Sequence, residues 1–210
     1  MTGGIARENG RAVRGVGTGP PAEVRPGACI WLTGPSGAGK STLTRALVPR
    51  LESRGRTVSV LDVVPLLAKQ PGERSSAGKL LRKAFVAGEV ARHGGLAVCV
   101  TVSASRAVRE QARAIVGADR FVEVHVDVPA AVADARRAAR GRRVPLRRRL
   151  RAWRGRLAGR TGATRGRAYE PPPAPDVRID TSVVRPEAAA QAVLDVLCER
   201  GVLPAAATTP

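Results

Sequence analysis

Apolar positions along the chain fall into two kinds of run that alternate from about residue 30 onward. Residues 30–33, 57–61 and 96–102 are short and continuously or largely apolar, as strands buried in a parallel sheet are. Residues 120–127 place Phe121, Val122, Val124 and Val126 in a fourth strand, and residues 176–180 give a short fifth. Between them the spacing becomes helical. Leu43, Leu47 and Leu51 recur every four residues in 40–54, and Leu80, Leu81, Ala84, Phe85 and Gly88 make one face in 77–92. Residues 106–116 and a stretch starting at Ala130 continue the alternation, and Ala189, Ala192, Val193, Val196 and Leu197 stripe a last helix over 186–200. Gly55, Gly94-Gly95 and Gly201 punctuate these elements. Strands alternating with helices predict an α/β domain with a mainly parallel five-stranded sheet and helices on both faces. Residues 1–26 and 202–210 lack periodicity and read as an N-terminal arm and a C-terminal tail around a domain at 27–201.

The first strand runs into Gly34-Pro35-Ser36-Gly37-Ala38-Gly39-Lys40-Ser41-Thr42, a full match to G-x-x-x-x-G-K-[ST]. Glycines let the backbone curl so that successive N–H groups point into one concavity, and the helix N-terminus behind it adds partial positive charge. Residues 34–42 therefore read as a cradle for the phosphates of ATP. Lys40 reaches the β- and γ-phosphates, and the Ser41 hydroxyl is placed to ligate Mg²⁺. The architecture expected is a three-layer P-loop kinase-like domain. The second strand delivers Asp62 at its carboxyl end, where ligands bind in open α/β sheets. Asp62 reads as a metal-positioning or acceptor-orienting carboxylate; its bland reading is a turn former or helix cap.

Composition adjusts this picture in three ways. The net charge is +19, from 36 Lys+Arg against 17 Asp+Glu, which favours anionic partners. Fourteen of those cations are arginines between Arg136 and Arg167, with Trp153 and no acidic residue among them. That block reads as a lid over ATP (about 136–168), as an RNA-binding strip with Trp153 as a stacking platform, or as a solvated helix. Aromatics are only 2%, so the core must be built from Val, Leu and Ala. Cys29, Cys99 and Cys198 are odd in number and widely spaced, as reduced thiols of a cytoplasmic protein are. No run approaches the ~20 apolar residues of a membrane span.

Several stretches together resemble the adenylylsulfate kinases, which use ATP to phosphorylate the 3'-hydroxyl of adenylylsulfate. Ile30 to Thr42 is similar to I-W-L-T-G-L-S-G-A-G-K-S-T, and Trp31 is the more specific part of that match. Leu61-Asp62 resembles the start of L-D-G-D, and Arg82-Lys83 falls where an R-R pair sits. Ser103-Ala104-Ser105-Arg106 parallels S-P-Y/H-R, and Phe121 to Pro129 resembles F-x-E-V-x-V-D-x-P. Thr161-Gly162 and Tyr169-Glu170-Pro171-Pro172 echo F-T-G-I-D-x-P-Y-E-P-P, and Asp176 to Thr181 echoes P-x-L-x-L-D-T. The resemblance implies an ATP- and Mg²⁺-dependent phosphotransferase with a small anionic, nucleotide-like substrate, a role in sulfate assimilation, and a homodimer. It implies substrate contacts from Asp62, Arg74, Arg82, Arg106 and Thr161, and an ATP contact from Arg136. It also implies a role for Ser103, matching a serine that some members phosphorylate; the alternative is a cap for the helix at 106.

The departures fall on the acceptor side. The second aspartate of L-D-G-D is Val64, the aromatic before Thr161-Gly162 is Arg160, and the lid's R-D-P-K-G-L-Y becomes Arg136-Arg137-Ala138-Ala139-Arg140-Gly141. These leave Asp62 as the one acid at that strand end, with Glu73 and Glu89 as candidates to replace what Val64 lacks. They keep three rivals open: a kinase of another small acceptor, a non-catalytic ATP-binding protein, and an RNA-binding protein using the arginines.

Overall fold

The computed structural model describes residues 25–62, 77–143 and 169–204. Expectations for the N-terminal arm, Val64, Glu73, Arg74, the arginines beyond Arg143, Trp153, Arg160 and Thr161 lie outside them. Ten elements follow in order: β1 (Ala28–Thr33), α1 (Lys40–Glu52), β2 (Val58–Leu61), α2 (Ala77–Arg92), β3 (Leu96–Val100), α3 (Arg106–Val116), β4 (Phe121–Asp127), α4 (Ala130–Arg143), β5 (Val177–Asp180) and α5 (Pro186–Glu199). Every strand pairing is parallel, and the order across the sheet is β2-β3-β1-β4-β5. This is the α/β arrangement expected from the alternation of runs.

β1 lies at the centre, all six of its residues buried. One face of the sheet, carrying Ile30, Leu32, Val98, Val122 and Val124, packs on Leu43, Leu47 and Leu51 of α1 and on Val193, Leu194 and Leu197 of α5. The other face carries Cys29, Trp31, Cys99 and Phe121 against Ala84 and Ala87 of α2 and Ala112 and Val116 of α3. Trp31 and Phe121 meet there with ring centroids 5.6 Å apart. Two aromatics and several small residues suffice because α2 comes close. A side chain at Gly88 would sit 3.4 Å from Val116 Cα. Burial holds the Cys29 thiol above its ordinary range, 3.8 Å from Cys99 Sγ, so it stays protonated in this core.

Three local expectations change. On α2 the buried face is Lys83, Ala84, Ala87, Gly88 and Ala91, whereas Phe85 is 57% exposed. Apolar spacing alone chose the larger side chains, but only small ones allow the helix to lie against both sheet and α3. β3 ends at Val100, two residues early, because Thr101 and Val102 turn toward the ligand end. The C-terminal tail starts later than 202: Val202 and Leu203 are buried, and both backbone N–H groups donate to the carbonyl of Leu197. Arg56 fastens this opposite edge of the domain, donating to the carbonyls of Val202, Pro26 and Gly94. Among the described residues no helix is long and apolar enough to cross a membrane.

Candidate active site

At the carboxyl edge of the sheet, β1 releases the chain into the glycine loop and α1 takes it up at Lys40. The loop shape depends on glycine at two positions. Gly34 has φ +147°, and a Cβ there would lie 2.1 Å from the carbonyl oxygen of Val126. Gly37 has φ +94°, and its Cβ would lie 2.7 Å from the carbonyl oxygen of Ala133. The loop is thus pressed between β4 and the first turn of α4, backbone on backbone.

A cleft of about 200 Å³ opens above it, lined by Ser36, Gly37, Gly39, Lys40, Ser41, Asp62, Val100, Thr101 and Val102. The volume is below the roughly 300–1,000 Å³ of a whole-ligand pocket, so the described residues form the phosphate end of a site. The structure therefore brings together the loop, Lys40, Ser41 and Asp62, as the sequence predicts. Gly34 and Ala38 are buried behind the cleft. Pro35 and Thr42 do not line it; Thr42 donates its N–H to Gly39 O at 2.9 Å and opens the first turn of α1. Lys40 is folded onto its own loop, its Nζ donating to the carbonyls of Gly34 at 2.6 Å and Pro35 at 2.8 Å. Those carbonyls hold the ammonium at the loop's rim, beside the cleft. Ser41 and Asp62, both exposed, offer a hydroxyl and a carboxylate on two sides of the cleft. Oxygen donors of this kind suit a hard divalent cation such as Mg²⁺. Among the described residues no group of three or more His, Cys, Asp or Glu exists that could hold a metal by itself. Asp62 is the sole carboxylate lining the cleft among them; Glu89 lies on the outer face of α2, paired with Arg92.

The other predicted residues are placed differently. Arg136 does not line the cleft. Its guanidinium donates to Thr181 Oγ1 at 2.9 Å and to the Thr181 carbonyl at 2.8 Å. Thr181 sits against the outer side of the loop, so in this structure Arg136 braces the loop from behind. The neighbouring Arg137 donates to the carbonyl of Ser36 at 2.8 Å. Arg82 and Arg106 do not line the cleft either; Arg106 is exposed at the start of α3, with its backbone N–H donating to Glu170 Oε2 at 2.8 Å. That carboxylate supplies the helix cap, which corrects the alternative reading of Ser103 as the cap. Ser103 is instead buried beneath the cleft wall, beside Trp31, Thr33 and Thr101.

Residues to which the sequence assigns no role also shape the site. Lys83, 2% exposed, donates to the carbonyls of Asp62 at 2.9 Å and Val100 at 3.0 Å, and so ties the ends of β2 and β3 together under the cleft. Burial holds its pKa below the usual lysine value, with nearby Lys79 pushing the same way and Asp62 opposing it. Arg109 is equally buried and meets Glu123 at 2.9 Å. Tyr169 stacks on His125, centroids 5.7 Å apart, and its hydroxyl lies 3.2 Å from Thr33 Oγ1. Burial keeps His125 below its ordinary pKa and hence neutral. The signal available for Lys83 was a lysine on the small-residue face of a helix; Glu170 and Tyr169 stand only as motif letters, and no motif reaches Arg109.

Comparisons with known proteins agree with this geometry. The family model described as adenylylsulphate kinase matches residues 26–180. A probable adenylyl-sulfate kinase of Pyrococcus abyssi is 34% identical over 185 residues, covering 85% of this chain and 99% of that protein. The adenylyl-sulfate kinase of Paraburkholderia xenovorans is 39% identical over 162 residues, covering 74% and 84%. Among solved structures, the APS kinase of Mycobacterium tuberculosis in complex with AMPPNP and APS superposes with a TM-score of 0.60 at 29% identity, covering 82% of this chain and 98% of that one. A continuous match through loop, core and site, at this identity and length, establishes that the chain belongs to the adenylylsulfate kinase family.

Proposed function

We propose that the chain transfers the γ-phosphoryl group of ATP to the 3'-hydroxyl of adenylylsulfate, giving ADP and 3'-phosphoadenylylsulfate, within sulfate assimilation. The observation that carries this reading is the single cleft shared by the phosphate loop and Asp62, in a chain of this family. Phosphoryl transfer asks the protein mainly for positioning and charge stabilisation. Amides of residues 36–41 hold the phosphates, and Lys40 moves from the Gly34 and Pro35 carbonyls to the β- and γ-oxygens. Asp62, across the cleft, accepts a hydrogen bond from the acceptor hydroxyl and orients it. Ser41 and Asp62 would hold Mg²⁺, which supplies neutralisation of the phosphate charge. Arg137, paired with Asp134, holds the carbonyl of Ser36 at the same rim. Arg74 and Thr161 belong to the acceptor side of the same reading, and Ser103 serves it as support for the cleft wall. A homodimer in the cytoplasm completes it.

Purified protein with ATP, Mg²⁺ and adenylylsulfate should release ADP in step with 3'-phosphoadenylylsulfate, and Lys40→Ala should abolish both. ATP-dependent turnover confined to another small alcohol would overturn the acceptor, and ATP binding without any transfer would overturn the enzyme. Light scattering reads the subunit count; a monomer at working concentration would remove the dimer.

A further inference from the structure

The wall of the cleft facing the phosphate loop is held by a chain of hydroxyls whose hydrogens are fully assigned. An indole N–H only donates, and each hydroxyl has one hydrogen to give. Trp31 Nε1 donates to Ser103 Oγ at 3.2 Å, and Thr101 Oγ1 donates to the same oxygen at 2.8 Å. Thr33 Oγ1 gives its hydrogen to the carbonyl of Val102 at 3.0 Å. It must therefore accept from Ser103 Oγ at 2.8 Å and from the Tyr169 hydroxyl at 3.2 Å. Ser103 has its hydrogen spent and its oxygen doubly occupied, 3% exposed. It offers the cleft nothing to react with.

Ser103 is also the one non-glycine residue with positive φ among the described residues, at +32°. A strained conformation persists only where its surroundings over-determine it. The hydroxyl chain fixes its side chain, and Arg109 fixes its backbone. Arg109 Nη1 donates to the Ser103 carbonyl at 2.7 Å, and Nη2 donates to the Glu170 carbonyl at 2.7 Å. Its Nε lies 2.9 Å from Glu123 Oε1, and its guanidinium 5.8 Å from the Tyr169 ring centroid. Glu170 binds the same corner twice more, through its N–H to the Ala104 carbonyl at 2.9 Å and its carboxylate to the Arg106 N–H. One buried guanidinium thus spans the strained turn that aims Thr101 and Val102 at the cleft and the strand of chain strapped across that turn.

We infer that Arg109 is a positioning residue for the acceptor: it holds Ser103 in its left-handed conformation and clamps Tyr169-Glu170 to the same corner, which fixes the cleft wall opposite the phosphate loop. Arg109 reaches neither the loop nor Lys40, so its action falls on one half of the site. Lysine in its place keeps the charge beside Glu123 but has no planar fork to bridge two carbonyls.

The inference rests on the adenylylsulfate reading for its kinetic arm, and a second arm is independent of it. Three chains are compared with the natural one: Arg109→Lys, Arg109→Gln, and Arg109→Gln with Glu123→Gln, which removes the buried charge together with its partner so that the fold survives. The expected kinetic result is a KM for adenylylsulfate raised about tenfold or more in both glutamine chains, with KM for ATP and affinity for ADP within about twofold, and partial recovery in the lysine chain. Backbone hydrogen exchange of residues 101–106 should accelerate about tenfold or more in the double variant, while residues 39–47 keep their protection. Equal rises in both KM values, or unchanged exchange at 101–106, would overturn the inference. If the natural chain turns over no adenylylsulfate, the function reading fails, and the exchange arm alone decides the positioning role.

Discussion

Thr181 donates its hydroxyl hydrogen to the carbonyl of Ala38 at 2.7 Å, inside the phosphate loop, while its oxygen accepts from Arg136. A residue 143 positions away thereby sets the curvature of the loop from behind. Thr181→Val keeps the shape and removes the hydrogen bond, leaving the Ala38 carbonyl and one Arg136 donor unsatisfied. A loss of about 1–3 kcal/mol is the ordinary cost of such orphaned groups. ADP titrated calorimetrically should bind about tenfold more weakly, with KM for adenylylsulfate little changed. Unaltered ADP affinity would show that the loop holds its shape without this strut.

Gly34→Ala should fail in a different way. The new Cβ would stand 2.1 Å from a backbone oxygen of β4, an atom that cannot rotate away. With the backbone also in a region closed to L side chains, the cost is about 3 kcal/mol or more. A fall in Tm of about 6–12 °C by scanning calorimetry follows for a domain of this size. A Tm within 2 °C or so of the natural protein would mean that β4 gives way.

Lys83 makes stability depend on alkaline pH. Its folded pKa lies below the ordinary 10.5, so in the alkaline range the unfolded chain binds more protons than the folded one. Its destabilising contribution is full below the folded pKa and disappears as pH rises toward 10.5. Denaturant unfolding between about pH 8 and 10 should show a steeper upward slope, or a shallower decline, in the natural chain than in Lys83→Met. Identical slopes would place Lys83 in a better-solvated setting than its burial indicates.

Ser41→Ala tests the metal reading. The variant should keep its fold, since the side chain is exposed. The Mg²⁺ concentration for half-maximal ADP release should rise at least severalfold, and kcat at saturating Mg²⁺ should fall. An unchanged Mg²⁺ dependence would move the cation to Asp62 and the nucleotide alone.

What was legible in the sequence was whatever is dictated locally. Residues 34–42 announce themselves because a backbone that folds back under Val126 and Ala133 admits glycine alone at Gly34 and Gly37. Asp62 was legible because strand ends face the ligand side in such sheets. The bond from Arg136 to Thr181 was not legible, since its motif letter is the same whether the guanidinium faces ATP or Thr181. The burial of Lys83 and Arg109 was not legible because buried cations are defined by partners distant in sequence. Lys83 reaches 17 and 21 residues to its carbonyls, and Arg109 reaches 61 to Glu170. α2 was rotated in the reading because hydrophobicity ranks Phe85 above Ala87, and packing distance ranks them the other way.

Among the described residues β2 pairs with β3 alone, whereas β1 has a strand on each side and no exposed residue. The donor loop therefore hangs from the most heavily supported segment of the molecule, and Asp62 from a margin, where Val60 is 43% exposed. A substitution on that margin therefore disturbs the seat of Asp62 sooner than it disturbs the seat of the phosphate loop.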